Sequence, residues 1–563
     1  MDLANLIAVA RSDKPADLVL KNARIINTFT GEIEKGNVAI SGGRIAGVGK
    51  YGEAKEIIDL KDSYLAPGFI NGHIHIESSM LHPSQYARSV VPHGTTSIVT
   101  DLHEITNVSG IAGIKFVLDC ARALPLDFFF KVPSCVPATH METAGAVIEA
   151  SQIKRLLRLK GNAGLGEMMN YPGVINAFAP VLDKIIASHG RVIDGHAPGV
   201  SGTQLNAYIS AGIYSDHEVT TQEEGREKLR RGMYLMIREG SSEKNLSTLL
   251  PLVTDNTWKR CMFVVDDRSC SDLLSDGDVD AVVRKAIDLG LDPIRAIQLA
   301  TINAAEHHRF YDLGAIAPGY RANLITIKDL RTLQVDMVFF NGKLAAGGGK
   351  YLGKASNKSP DELMKSVNIK KMGMRALELK ITGDAFPVIE IVPGQIVTKK
   401  TMIKLPPGPF KPDPGRDILK AVVFERHKAS GNIGIGLVKG FGLKSGSIAS
   451  TIAHDSHNLI VVGTTDEDIL AAVQAIEEMQ GGLVVTKDAK PIALLPLPLC
   501  GLLSLEPAED VSRQFDEIEK AATSLGKLPP APFALLSFIA LPVIPELRIT
   551  DMGIVDVTQF KLI

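Results

Sequence analysis

Residues 68–80, "GFINGHIHIESSM", place two histidines one residue apart and follow them with a carboxylate and two serines. Alternate side chains of an extended strand point to the same face, so His73 and His75 would lie side by side. Imidazole nitrogens in this arrangement are suited to binding a metal ion. Two histidines alone are weak evidence, so a metal site requires further ligands from elsewhere in the chain.

Further candidate ligands occur where later strand-like runs end. They are Glu167 in "GLGEMM", His196 in "IDGHAPG", His217 in "YSDHE", and Asp266 and Asp267 in "FVVDDR". Each of them alone could have an ordinary structural role, such as a helix cap or a core hydrogen bond. Their common position at strand ends is hard to attribute to chance and favours a single site.

The elements that must position these residues alternate between apolar strands and helices. The candidate strands are "YLAPGFI", "TTSIVT", "FFFKVP", "AGLGEMM", "RVIDGH", "GIYSDHE", "MYLMIRE" and "CMFVVDD". Eight βα units over roughly 250 residues are typical of a (β/α)8 TIM-like barrel, whose catalytic groups converge at the carboxyl ends of the strands. The sequence therefore predicts that the strand-end residues meet at one barrel mouth.

Two β-rich segments, residues 17–48 and 314–345, flank this region. They predict a small β-sandwich domain built from both flanks, with its parts at residues 1–62 and 313–348. The barrel would span residues 63–312 and a polar linker residues 349–367. Residues 368–563 mix strands and helices and predict an additional C-terminal α/β or α+β domain.

Composition narrows the class of protein. A net charge of -2 over 563 residues gives no reason to expect nucleic-acid or membrane partners. The five cysteines form no C-x-x-C pair and predict reduced thiols in a cytoplasmic protein. No secretory signal is recognised at the N-terminus, and the apolar stretch 531–545 is short and interrupted by prolines, which favours a buried core element.

Several of these stretches resemble the amidohydrolase superfamily and, within it, the adenine deaminases that carry an extra C-terminal domain. The matching segments are "APGFINGHIHIESSM", "PHGTTSIVTDLHEITNV", "GLGEMMNYPGV", "DGHAPG", "SDHE", "VDDR", "GAIAPGYRANL", "HDSHNLIVVG" and "LPVIPELRITDMG". The strand-one HxH and "APGYRA" are superfamily signals, whereas "HIHIESSM", "GEMMN" and "HEITNV" are more specific. The similarity runs through essentially the whole chain.

The resemblance implies a binuclear centre of divalent ions, Mn or Fe, with Zn as a further option. Carried over by position, His73, His75 and Asp266 would hold one ion, His196 and His217 the other, and Glu167 would bridge them. The choice of Asp266 over Asp267 rests on the resemblance. Related hydrolases of cyclic amides place a carboxylated lysine where this chain has Glu167, which argues against that activity. The implied reaction is hydrolytic deamination of adenine to hypoxanthine and ammonia. The implied assembly is a homo-oligomer, either a dimer or a larger one.

In such a reaction Asp266 would take a proton from the attacking water and relay it to the leaving amine, while Glu167 would support the site. Candidates for holding the purine follow the first two strands and the last: Glu77, Ser78, Ser79, Asp101, His103, Glu104 and Arg268. For each of them a cap or loop hydrogen bond is a serious alternative. Asp101 and Glu104 are also candidates for an accessory metal.

Two further motifs and four further functions compete with this assignment. His454 and His457 in "AHDSHN" suit either a weak metal site or, more simply, a polar turn. His75-Ile76-Glu77 matches the H-x-E half of the zinc nucleobase deaminases, but the required C-x-x-C is missing from the sequence. The alternative functions are a cyclic-amide hydrolase such as a hydantoinase, a deaminase of another purine-like base, a mononuclear deaminase and a catalytically silent barrel scaffold.

Overall fold

The computed structural model describes residues 2–393, 395 and 397–563. The first helix is Leu3–Ala10 (α1), where Asp2 Oδ1 accepts a hydrogen bond from Asn5 N at 3.0 Å and so caps the N-terminus. Five strands follow it: Ala16–Asn27 (β1), Glu32–Ser41 (β2), Arg44–Gly49 (β3), Ala54–Asp59 (β4) and Tyr64–Pro67 (β5). Leu6 and Val9 of α1 pack against Val19 of β1, which fixes the helix on the sheet.

The barrel is made of eight short strands, in the order that the sequence predicts. They are Phe69–Ile74 (β6), Thr95–Asp101 (β7), Asp127–Val132 (β8), Asn162–Met168 (β9), Ile193–Gly195 (β10), Ser215–Asp216 (β11), Tyr234–Arg238 (β12) and Cys261–Val264 (β13). β6 to β10 form one parallel ladder and β11 to β13 another. Most of their residues are buried, as expected for parallel strands covered by helices.

Two close approaches join the ladders into a ring. A parallel bridge connects Ile74 at the end of β6 to Asp266 beyond β13. On the other side, a Cβ on Gly195 would lie 2.1 Å from the carbonyl oxygen of Ser215, so only glycine lets β10 approach β11 this closely.

Thirteen helices among the described residues accompany the barrel strands. They are Pro83–Val90 (α2), His103–Ser109 (α3), Ile111–Ala121 (α4), Ala150–Leu156 (α5), Tyr171–Ile175 (α6), Ala179–Ala187 (α7), Gly202–Ser210 (α8), Gln222–Arg230 (α9), Leu246–Leu249 (α10), Cys270–Ser275 (α11), Val279–Asp288 (α12), Pro293–Leu299 (α13) and Ile302–His307 (α14). α12 shows the pattern that holds them in place, because it buries Val279, Val282 and Val283 on one face.

The chain then returns to the first sheet. The returning strands are Leu324–Ile327 (β14), Val335–Phe340 (β15), Lys343–Gly347 (β16) and Lys350–Tyr351 (β17). β14 pairs antiparallel with β5, which produces a nine-stranded sheet in the order β17-β16-β15-β14-β5-β1-β2-β3, with β4 paired to β1. The predicted fold class, a barrel with a small β domain from both flanks and an additional C-terminal domain, is confirmed.

The C-terminal region is centred on an eight-stranded sheet in the order β20-β19-β23-β22-β25-β24-β26-β27. Its strands and those of two smaller sheets are Lys380–Ile381 (β18), Phe386–Ile391 (β19), Thr398–Ile403 (β20), Gly408–Pro409 (β21), Ile418–Phe424 (β22), Ile433–Lys439 (β23), Ser447–Ser450 (β24), Leu459–Gly463 (β25), Gly482–Lys487 (β26), Lys490–Pro496 (β27), Leu547–Thr550 (β28), Gly553–Asp556 (β29) and Lys561–Leu562 (β30). Three helices pack with them: Asp466–Met479 (α15), Ala508–Thr523 (α16) and Pro532–Phe538 (α17).

This region packs directly on the barrel. Ser504 N donates to the Met80 carbonyl at 2.8 Å, and Thr550 Oγ1 donates to the Met141 carbonyl at 2.6 Å. The apolar stretch around α17 is a buried core element, with Phe533 5 % exposed and Leu536 fully buried. Among the described residues no helix combines the length and the apolar character needed to cross a bilayer.

Candidate active site at the barrel mouth

Six strand-end side chains converge where the carboxyl ends of the barrel strands meet. All six are buried: His73, His75, Glu167, His196, His217 and Asp266. His73 lies in β6 and Glu167 in β9, whereas the other four follow the last residue of their strands by one or two positions. The structure therefore brings together residues that span nearly two hundred positions of the chain.

Glu167 lies at the centre of this cluster. Its Oε1 is 3.2 Å from His75 Nε2, and its Oε2 is 2.9 Å from His196 Nδ1 and 3.1 Å from His217 Nε2. The two oxygens of one carboxylate thus face histidines from opposite sides of the barrel. Asp101 Oδ2 accepts a hydrogen bond from Glu167 N at 2.8 Å and fixes the backbone there.

Asp266 faces the same space from β13. Its Oδ1 lies 3.3 Å from His73 Nε2 and 3.1 Å from His75 Nε2. Backbone hydrogen bonds from Asp266 N to the His73 carbonyl and from His75 N to the Asp266 carbonyl hold it against β6. Asp266 has φ +61°, a left-handed conformation that costs free energy at a non-glycine residue and is often found at functional sites.

Two charged residues that the sequence analysis missed complete the surroundings of Asp266. Arg238 Nη1 donates to Asp266 Oδ2 at 2.7 Å, and the same guanidinium donates to both oxygens of Glu218 at 2.6 and 3.0 Å. Arg238 ends β12 and Glu218 follows His217, so the positional rule that selected the other residues would also have selected these two. A buried guanidinium with two carboxylate partners fixes the orientation of Asp266.

Burial and neighbouring charges shift the pKa values of the cluster in opposite directions. Burial alone would raise the pKa of Glu167, but His217 and His196 lower it well below its usual value. Burial would likewise raise the pKa of Asp266, and His217, His73 and Arg238 lower it. Against the effect of burial, Asp266 and Glu167 raise the pKa of His217 to about 9. The carboxylates are therefore ionised, and the charged groups around them stabilise that state.

The donor set fits divalent cations. Within the described part of the chain, neither ring nitrogen of the buried His73 has a hydrogen-bond partner, and His217 Nδ1 has none either. Ligand atoms of three groups lie within 4.8 Å of one another: His73, His75 and Glu167; Glu167, His196 and His217; and His73, His217 and Asp266. Nitrogen and oxygen ligands of this kind suit Mn, Fe or Zn.

The seven further residues that the sequence singles out occupy different places. Asp101, His103 and Glu104 border the cluster, and the ring of His103 lies 4.6 Å from that of His75, between centroids. Glu77 accepts a hydrogen bond from Ile105 N at 3.1 Å, and Ser78 Oγ donates to Asp267 Oδ1.

Two of the seven are not brought to the cluster. Ser79 Oγ donates to the Ile76 carbonyl at 2.5 Å, and Arg268 Nε donates to the Gly277 carbonyl at 2.7 Å. Both side chains therefore support local backbone. Arg268 also lines a second cavity of about 320 Å³, which shares Glu104, Asp267, His454 and Phe538 with the walls of the active-site chamber.

The C-terminal region closes one side of the chamber. His454, Asp455, Phe538, Leu541 and Ile544 line it opposite the barrel residues. The turn that carries the two histidines of "AHDSHN" is present, but their side chains reach the barrel, because His454 Nδ1 lies 2.8 Å from Glu104 Oε1 and His457 Nε2 contacts Glu104 Oε2. A contact between residues about 350 positions apart left no signal in the sequence.

Sequence comparisons with known proteins agree with this architecture. The sequence model of the amidohydrolase family matches residues 64–345, and that of the adenine deaminase C-terminal domain matches residues 395–561. An adenine deaminase from Dehalococcoides mccartyi is 59 % identical over 100 % of this chain and 99 % of that protein. Adenine deaminase 2 from Carboxydothermus hydrogenoformans is 47 % identical over the same shares. The solved L-hydantoinase from Arthrobacter aurescens has a TM-score of 0.45 at 15 % identity, over 60 % of this chain and 97 % of that one.

Proposed function

The chain belongs to the adenine deaminases of the amidohydrolase family, and from this premise we propose that it hydrolyses adenine to hypoxanthine and ammonia. The observation that carries the proposal is the position of Glu167, whose two carboxylate oxygens face separate histidine groups within 3.2 Å. A carboxylate shared in this way is suited to joining two cations. A lysine, which the related cyclic-amide hydrolases use in carboxylated form, does not occupy the position.

The proposed ligand assignment follows the geometry. His73, His75 and Asp266 would hold one divalent ion, His196 and His217 a second, and Glu167 would contact both. Mn and Fe are the proposed metals, with Zn as a further option, because imidazole and carboxylate ligands without thiolate serve all three. Ions bound there supply Lewis-acid activation of water at neutral pH.

Asp266 is the proposed proton carrier. Water adds to C6 of adenine and the exocyclic amine leaves as ammonia, so one proton of the water must reach that amine. Asp266 Oδ1 faces the cluster while Arg238 holds Oδ2, so the carboxylate is fixed beside the site where it would take the proton from water and pass it to the amine. General acid–base help of this kind is worth about 10²–10⁴-fold in rate.

The purine would lie between the cluster and the second cavity. Asp267, Glu104 and the ring of Phe538 border both spaces, and Glu77 and Ser78 line the larger one. Burial raises the pKa of Glu77 to about 7, and burial also raises the pKa of Glu243, in the chamber wall, to about 7. Carboxyl groups with such values are suited to giving the ring nitrogen the proton that it needs when its aromaticity is lost. Asp101 and His103 would act through Glu167, whereas Ser79 and Arg268 would support the surrounding backbone.

The direct test is turnover of adenine by the full chain loaded with Mn²⁺ or Fe²⁺. We expect the protein to form hypoxanthine from adenine, with little or no hydrolysis of hydantoin or dihydrouracil under the same conditions. Hydrolysis of a cyclic amide without turnover of adenine would contradict it. The same preparation tests the proposed dimer or higher homo-oligomer by light scattering.

A further inference from the structure

Beside the six-residue cluster, three buried side chains and the partly buried His454 bring ligand atoms close to one another. His103 and Glu104 begin α3 of the barrel, and His454 and Asp455 lie in the C-terminal turn. His103 Nε2 is 3.2 Å from Glu104 Oε1, which is 2.8 Å from His454 Nδ1. Asp455 Oδ1 is 3.9 Å from each of the two histidine nitrogens. Each of these two nitrogens and two oxygens thus lies within 3.9 Å of two of the others.

These separations are those of a cation site. Ligand atoms about 2.1 Å from a tetrahedral ion lie roughly 3.4 Å from one another. The observed distances of 2.8–3.9 Å lie on both sides of that value. The neighbouring six-residue cluster uses none of these four atoms.

The side chains around this group orient its ligands. Ala453 N donates to His457 Nδ1 at 3.2 Å, so Nδ1 is an acceptor and the proton of this ring lies on Nε2. His457 Nε2 therefore donates to Glu104 Oε2, which turns Glu104 Oε1 toward His103 and His454. The ring of His454 is stacked on that of Phe538, with 4.8 Å between centroids. Such outer contacts are the usual means of fixing metal ligands.

Hydrogen bonds alone leave this group incompletely satisfied. Asp455 is 1 % exposed and its Oδ2 has no hydrogen-bond partner among the described residues. His103 is 2 % exposed and its Nδ1 has none either, although Asp101 Oδ1 and Glu167 Oε1 lie 3.5 Å away. Several buried carboxylates in one place are costly without a compensating cation.

We propose that His103, Glu104, His454 and Asp455 bind a third divalent cation, distinct from the pair at the barrel strands. Two imidazoles and two carboxylates select a first-row transition ion such as Zn²⁺, Mn²⁺ or Fe²⁺. Because two ligands come from the barrel and two from the C-terminal region, the ion ties the turn 451–458 to α3 and keeps this wall of the chamber closed. Binding of this third ion would not require that adenine be the substrate.

The test is the number and position of bound ions in the full-length protein. Loaded with Mn²⁺ and freed of excess metal, the wild type should hold close to three ions per chain by mass spectrometry. Asp455→Asn and, separately, His454→Asn should hold close to two. His189→Asn, at an exposed histidine, is the matched control and should hold as many as the wild type.

Anomalous diffraction from wild-type crystals tests the same point without any variant. A third peak within bonding distance of His103 Nε2, Glu104 Oε1, His454 Nδ1 and Asp455 Oδ1 would support the proposal. Two ions per saturated wild-type chain, with no anomalous peak among these atoms, would overturn it and would leave Glu104 paired directly with a protonated His454. Either result is independent of whether adenine is turned over.

Discussion

At the residue scale, two adjacent carboxylates after β13 have different surroundings. Asp266 faces His73 and His75 through one oxygen and Arg238 through the other. Asp267 accepts a hydrogen bond from Ser78, and burial followed by the charge of Asp266 raises its pKa. Under the proposed function the neighbours would have separable roles: Asp266 would serve the ions and the proton transfer, and Asp267 would border the substrate.

We expect Asp266→Asn to lower kcat/KM for adenine by about 10²–10⁴-fold and to reduce the divalent metal content. Asp267→Asn is the matched control for metal binding, because its side chain lies outside the six-residue cluster, and it should retain the wild-type metal content. Metal analysis and ammonia release measure the two effects on the same samples. Equal metal contents in both variants would show that Asp266 and Asp267 do not differ in metal binding.

At the element scale, the backbone conformation at the carboxyl end of β9 requires that residue 166 be a glycine, without a side chain. A Cβ there would lie 2.1 Å from Asp101 Oδ2, the atom that accepts the hydrogen bond from Glu167 N. An added methyl group must displace Asp101, and with it the backbone that carries Glu167. The strand end thus links β7 to the central carboxylate of the site.

Gly166→Ala should destabilise the protein by about 1–3 kcal/mol, the usual cost of overpacking, and should also weaken metal retention. Gly52→Ala is the control, because a Cβ at Gly52 meets no atom within 4 Å. Denaturant unfolding and dialysis against a chelator measure the two effects. Unchanged metal retention in Gly166→Ala would show that Asp101 does not support Glu167.

Glu142, in the connection between β8 and α5, is a buried carboxyl whose pKa is raised rather than lowered. Burial, followed by the charge of Asp455, raises the pKa of Glu142 from 4.5 to about 8, and its Oε2 has no hydrogen-bond partner among the described residues. The folded state therefore holds a proton there that the unfolded state releases. In the metal-free protein, this group lowers the stability as the pH rises from about 4.5 to about 8.

Glu142→Gln should remove that dependence. Across this window the stability of the variant relative to the wild type should rise with pH, by up to about 1.4 kcal/mol per pH unit. Glu223→Gln, at an exposed glutamate, should leave the pH dependence as it is in the wild type. Denaturant titrations of the metal-free proteins at several pH values give the comparison, and parallel curves for wild type and Glu142→Gln would contradict the shift.

At the scale of the whole molecule, the barrel and the C-terminal region share apolar contacts. Leu541, Val543 and Ile544 pack against Cys135 and Met169 of the barrel loops. The two regions are also joined by hydrogen bonds from Ser504 and Thr550 to barrel carbonyls. We therefore expect them to unfold together.

Leu541→Ala should cost about 2–5 kcal/mol, because Leu541 is 2 % exposed and its truncation leaves a cavity in this contact. The fluorescence of Trp258, the only tryptophan and a barrel residue, and the far-ultraviolet circular dichroism should shift to the same lower midpoint. Leu494→Ala is the control, at 45 % exposure. A dichroism transition that moves while the Trp258 transition does not would show that the two regions unfold separately.

The barrel could be predicted from the sequence because its apolar strands are short, alternate with helical stretches and end in polar residues. The same rule located His196 and His217, and it would have found Arg238 had charged residues at strand ends been sought as well as ligands. The contacts of Glu104 with His454 and His457 could not be predicted, because they depend on how the barrel and the C-terminal region pack together. No local pattern records that packing.

Deamination of adenine by this protein would require the divalent ions that the residues around Glu167 would hold. The most direct measurement is ammonia release from adenine while metal-free protein is titrated with Mn²⁺, for the wild type and for Glu167→Gln. We expect no release without metal, activity that rises with bound metal in the wild type, and little or no gain in Glu167→Gln at any Mn²⁺ concentration. Full activity in the metal-free wild type, or in the metal-loaded Glu167→Gln protein, would contradict this role of the ions.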